Sequence, residues 1–255
     1  MIASEIGLSL SGSGLIRLYH PSGSYCVHKI MERLGLCPQR DSVISNKSYL
    51  IGNSFEHPKL SLIEYDLKTS NYEILTPISD VVRQMTYDKR NNRILFVSYN
   101  WEEQLKLKDA YEQEQTTIAK NAQHTIYGYD ITTKNISELV QMDEVVTTMD
   151  IDKKGENLLL RTANSLFEPR QNIFFSLKDK KILNTLAIEQ VTRLESIAFN
   201  PDNSGIYFTG LLSANSHENY PSPPNALIYM DFSTGTYENI VSFEDKYINN
   251  FVIFK

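Results

Sequence analysis

The sequence predicts an all-β protein, a five-bladed β-propeller whose ring is closed by the C-terminal strand joining the N-terminal blade. Three observations carry this expectation. A strand–turn–strand unit recurs along the chain, a second hairpin-like unit precedes most of its copies, and the copies are spaced as propeller blades are. Composition leans the same way. Fifteen Tyr and eleven Phe stand against one Trp, and such side chains favour pleated, half-buried surfaces.

The recurring unit is clearest at residues 62–75, LIEYDLKTSNYEIL. It returns as IYGYDITTKNISELV at 126–140, NIFFSLKDKKILNTL at 172–186 and ALIYMDFSTGTYENIV at 226–241, with a degenerate copy at 14–30. The residues that close its first strand are His20, Asp66, Asp130, Ser176 and Asp231, at intervals of 46, 64, 46 and 55 residues. Joined head to tail, the two ends of the chain make a fifth interval of about 44. The second unit reads MTYDKRNNRILFVS at 85–98, MDIDKKGENLLLRT at 149–162 and IAFNPDNSGIYFTG at 197–210, with a short form at 43–53. Each is a strand, a turn rich in Asn, Asp, Gly or Lys, and a strand, as a hairpin requires. A last copy is split, residues 251–255 supplying its first strand and 5–10 its second. Four strands in each of five units predict about twenty strands in one domain, 1–255.

The strands are apolar on both faces. Tyr65, Tyr129, Phe175 and Met230 are equivalent on one side, and Leu62, Ile126 and Leu227 on the other. A sheet packed between two neighbouring sheets needs this pattern, because the period of two sends alternate side chains to opposite partners.

The run of apolar residue, x, aromatic, Asp, x, x, Thr resembles the blade repeat of WD-repeat and TolB-like propellers, over nearly the whole chain. Asp66, Asp130 and Asp231 fall where that repeat has its strand-ending Asp, and Thr69, Thr133 and Thr234 where it has its turn Thr. Tyr or Met replaces the Trp of the WD motif, and no Gly-His dipeptide opens a repeat. The resemblance implies a structural role for these Asp residues, as caps on the following turn.

Composition narrows the function. The net charge of −6 is spread along the chain, without a Lys/Arg cluster to track phosphates, so neither nucleic acid nor an anionic membrane is expected as a partner. Cys26 and Cys37 are too few for a disulfide framework or zinc site and are expected to be reduced thiols. The histidines at 20, 28, 57, 124 and 217 lack metal-ligand spacing, and no cofactor is expected. Residues 1–30 have neither a basic start nor an apolar core, and nothing approaches the ~20 apolar residues of a membrane span. With Met1 as the native start, a cytoplasmic protein is expected. No nucleophile elbow, phosphate-binding Gly loop or dinucleotide fingerprint is present.

Loop lengths point to the functional face. Turns between first and second strands are short throughout, whereas second-to-third connections vary, at 54–59, 101–124, 165–171 and 213–225. In a propeller these elaborated loops share one face with a mouth of the central channel, and long loops on a rigid frame are where binding concentrates. The insert at 101–124 has good helix formers, no Gly or Pro, and a stripe of Leu107, Tyr111, Ile118 and Ala122. Trp101 stands at its root, as a packing anchor or a ligand platform. The proline-stiffened 213–225 loop offers His217 and Tyr220. His57 and Arg170 are further binding candidates. The leading expectation is a non-enzymatic module that binds a protein or peptide through this face.

The alternative is a carbohydrate-active or glycan-binding propeller using the channel. Five-bladed propellers include glycoside-processing enzymes that gather acid–base carboxylates there. Arg83, Thr147 and Glu195 are equivalent first-strand positions, with Asp41 opening another unit. Only Asp41 and Glu195 could serve, and an ion pair with Arg83 is the simpler role.

Overall fold

The computed structural model describes residues 6–10, 40–44, 47–52, 59–114, 121–164, 170–187, 191–212, 225–243 and 248–253. The degenerate copy at 14–30, both cysteines, and the candidates His57, His217 and Tyr220 lie outside the described residues. These hold eighteen strands and one helix, and no helix among them is long and apolar enough to cross a membrane.

The chain divides into two compact units, one of Tyr19–Thr147 with Thr162–Arg170, the other of Met1–Leu18, Thr148–Arg161 and Gln171–Lys255. In the first unit, β2 (Arg40–Ile44), β3 (Lys47–Gly52), β4 (Ser61–Asp66) and β5 (Tyr72–Ile74) form an antiparallel meander. A second meander follows, of β6 (Asp80–Asp88), β7 (Arg93–Asn100), β8 (His124–Asp130) and β9 (Ile136–Met142). Helix α1 (Trp101–Glu114) joins β7 to β8. A third meander comprises β10 (Val145–Ile151), β11 (Asn157–Ala163), β12 (Gln171–Ser176) and β13 (Lys181–Leu186). The fourth comprises β14 (Val191–Phe199), β15 (Gly205–Leu212), β16 (Ala226–Asp231) and β17 (Tyr237–Ser242). The two terminal strands, β1 (Ile6–Leu10) and β18 (Ile248–Ile253), pair antiparallel, with Leu8 opposite Phe251. The architecture is therefore all-β, with four four-stranded antiparallel sheets and a fifth, two-stranded pairing.

The Asp residues of the repeat act locally. Asp66 Oδ1 accepts the backbone N–H groups of Lys68 and Thr69 at 2.8 and 2.9 Å, and Asp130 Oδ1 those of Thr132 and Thr133 at 2.8 Å. Asp231 accepts those of Ser233 and Thr234 at 2.7 and 3.1 Å. The turn then closes through a residue of positive φ, Ser70, Lys134 or Gly235. Hydrogen-bond donors favour a charged acceptor, so all three carboxyls lie below their ordinary pKa, Asp231 chiefly through the Ser233 hydroxyl and Asp66 and Asp130 chiefly through these backbone N–H groups. At the β6–β7 and β10–β11 turns Asp88 and Asp152 bind the backbone N–H groups of Asn91 and Glu156 in the same way.

Burial on both faces holds for the middle strands. Nearly every side chain of β3, β4, β7 and β11 is buried. The fourth strands depart from that expectation, since β5, β13 and β17 are almost wholly exposed and β9 is exposed through most of its length. Their sheets end there, so no further strand covers them. In the first unit the core is Tyr49, Ile51, Leu62, Val82, Met85, Ile94, Phe96 and Tyr129. In the second it gathers Leu159, Ile197, Phe199, Ile206, Phe208 and Ile228.

Candidate functional site

Helix α1 is built where the sequence expected it, though the helix occupies Trp101–Glu114 and His124 opens strand β8. Residues 115–120 lie outside the described residues. Asn100 caps the helix, its Oδ1 accepting the N–H of Glu103 at 3.0 Å. Glu102 and Glu103 complement the positive end of the helix dipole. Trp101 and Leu107 are half-buried against Val81, Tyr99 and Ala122. The returning chain is tied down where Ala122 N–H donates to Gln104 Oε1 at 3.0 Å. Leu107 and Ala122, the two ends of the stripe, thus pack on the protein's own sheet. Tyr111 is half-buried. Glu102, Glu103, Leu105, Lys106, Lys108, Asp109 and Glu112 are exposed, and one ion pair, Lys108 to Glu112 at 3.6 Å, runs along this face.

Beneath the helix root lies His124, 2% exposed. Its ring stacks on Tyr99, 5.0 Å between centroids and 5° from parallel. The Arg83 guanidinium lies 5.7 Å from the centre of the same Tyr99 ring. His124 Nδ1 accepts the Val146 N–H at 3.1 Å, which leaves the proton of the neutral ring on Nε2. Burial, then the Arg83 charge, pushes its pKa down to about 4. This stack was missed in the sequence, where His124 read as the end of a loop. Its place immediately before the repeat's aromatic strand was the available signal.

A second polar cluster in the same unit centres on Glu64, 6% exposed in the middle of β4. Its carboxylate accepts from Tyr49 Oη at 2.8 Å and Tyr129 Oη at 3.3 Å, and pairs with the Lys47 ammonium. Lys134 stands 3.7 Å away and also reaches Glu73 at 3.6 Å. Burial alone would raise the Glu64 pKa, but the Lys47 and Tyr49 hydrogen bonds outweigh it and hold it below the ordinary value. Burial, then the neighbouring carboxylate, pushes the Tyr49 hydroxyl up, and the same two influences raise Tyr129. The cluster links β3, β4 and β8. The charge inside the apolar run LIEYD was the legible hint.

Of the remaining sequence candidates, Arg170 is exposed. The Glu195 carboxylate lies 3.8 Å from the buried Arg161 guanidinium. Asp41 lies in β2, where the backbone alone is described.

No protein-family model and no curated protein matches the chain. Solved structures do. A putative TolB from Agrobacterium tumefaciens matches with a TM-score of 0.51 at 10% identity, over 82% of this chain and 71% of that one. TolB from Acinetobacter baumannii matches at 14% identity and a TM-score of 0.49, over 79% of this chain, which spans 44% of that protein's length. The β-propeller domain of the trilobed protease from Pyrococcus furiosus gives a TM-score of 0.49 at 8% identity, over 81% of this chain and 58% of that one. At these identities the likeness concerns fold alone. The neighbours are TolB-like and other β-propellers, consistent with a TolB-like β-propeller repeat class.

Proposed function

We propose that the chain forms a single five-bladed β-propeller, with β18 and β1 in its closing blade, and that it is a non-enzymatic module binding a protein or peptide through its long-loop face. The repeat spacing and the β1–β18 pairing support the ring. One observation carries the binding reading. Helix α1 is capped and anchored on one side by Trp101 and Leu107, yet presents a charged outer side with Leu105 39% exposed among the charges. That side has no part in building the sheets, and a rigid, pre-ordered helix loses little entropy on binding.

Site-specific photo-crosslinking tests this. A crosslinker replacing Leu105 should give a discrete adduct with one partner in the native host, and one replacing the exposed Ile136 should not. Lys106→Glu with Lys108→Glu should abolish the adduct without shifting the melting temperature. Equal adducts at both positions, or none at Leu105, would overturn the proposal.

A further inference from the structure

The hairpin ends of the sheets β10–β13 and β14–β17 enclose an open pocket of about 370 Å³, within the size range of small-ligand sites. Its floor is aromatic. Phe174, Phe199 and Phe232 meet pairwise, at 5.6 Å and 71° for Phe174–Phe232 and 6.4 Å and 75° for Phe199–Phe232. Leu183 extends the floor and is 49% exposed, and Phe232 is 40% exposed. A register shift between Phe174 and Phe175 leaves Leu183 as the extra residue of β13. Such a bulge redirects side chains at a sheet edge.

The rim is polar and carries one exposed ammonium, Lys154, and one carboxylate, Asp152, that is 8% exposed. The Asp152 carboxylate is committed to the N–H groups of Glu156 and Asn157 and to Asn157 Nδ2, at 2.9, 3.2 and 2.8 Å. Asn203 Oδ1 accepts the Lys153 N–H at 2.9 Å, and Asn184 Oδ1 the Thr185 N–H at 2.8 Å. The acceptors are thus engaged with the protein. The two amide nitrogens and the Lys154 ammonium remain as donors on the rim. A ring edge or face meeting three rings, under a rim of donors with one cation, suits a flat apolar group that carries an acceptor.

We propose that this pocket binds a small aromatic anion, its ring against Phe174, Phe199 and Phe232 and its carboxylate at Lys154, Asn184 and Asn203. None of the lining residues belongs to α1.

Saturation-transfer NMR on the full chain, with phenylacetate as probe and phenylacetamide as its neutral counterpart, tests the assignment. Phenylacetate should receive saturation and bind about fivefold more tightly than the amide. Phe232→Ser and Lys154→Glu should each weaken it about fivefold. Both side chains are exposed, so the melting temperature should fall by no more than about 2 °C, and Ile136→Ser should leave binding unchanged. No transfer to phenylacetate up to ~10 mM, equal binding of the amide, or an undiminished signal in either pocket variant would overturn the proposal.

Discussion

Glu64 and Phe174 occupy the same place in their repeats, two residues before the residue that closes the strand, and they stabilise their surroundings by different physics. Around Glu64 the neighbours are Tyr49, Tyr129, Lys47 and Lys134, and the site is closed by directional hydrogen bonds and charge. Around Phe174 they are Phe199, Phe232 and Leu183, and the site stays open as a pocket. The repeat fixes where a side chain points. It does not fix whether that position seals or exposes. A buried carboxylate demands that its partners close over it, because an unpaired charge there is costly. An aromatic ring makes no such demand.

The comparison breaks most visibly at Glu64. Glu64→Ala should lower stability by about 3 kcal/mol, since it strips Lys47 and two buried hydroxyls of their acceptor at once. Urea unfolding measures this. A loss under about 1 kcal/mol would mean that water replaces the carboxylate and the cluster is not sealed.

Acid should separate the two regions next. His124 is neutral in the fold with its pKa depressed to about 4, against an ordinary 6.5. Above pH 6.5 the folded and unfolded forms are both neutral there, and its contribution is complete. Between pH 6.5 and 4 the unfolded chain takes up the proton first, so about 3 kcal/mol is lost as pH falls. The Glu64 contribution, with its pKa also depressed, is lost at lower pH still, below the ordinary carboxylate value. Hydrogen exchange should therefore show the amides around His124, that of Val146 among them, losing protection before those of β15 and β16. His124→Phe should flatten the pH dependence in the range 6.5 to 4.

Leu107→Glu with Tyr111→Glu should lower the melting temperature by several degrees in the absence of any partner, because Leu107 packs on the sheet and the new charge would be partly buried. An unchanged melting curve would place the stripe outside the packing. Tyr129→Phe should cost about 1 kcal/mol, the worth of one hydrogen bond to a charged acceptor at 3.3 Å. Phe232→Ala should cost least, about 0.5 kcal/mol, since the ring is 40% exposed and gains only part of its transfer energy. A larger loss would make that ring a structural plug rather than the wall of a site.

Interactions that span a few residues were legible in the sequence. Asp66, Asp130 and Asp231 read as turn caps because the N–H groups they bind lie two and three residues ahead, and period-two apolarity placed β4, β7, β8 and β16 for the same local reason. Helix α1 followed from propensity and the absence of Gly and Pro, although its Asn100 cap and its end at Glu114 did not. Tertiary structure decided what the repeated positions face. Tyr129 finds Glu64 across 65 positions of chain, and Phe232 finds Phe174 across two sheets. Such pairings depend on how neighbouring sheets are brought together. Their energies therefore leave no periodic trace: one Glu in an apolar run marked a sealed cluster, while three separated Phe residues gave no sign that they would line a pocket.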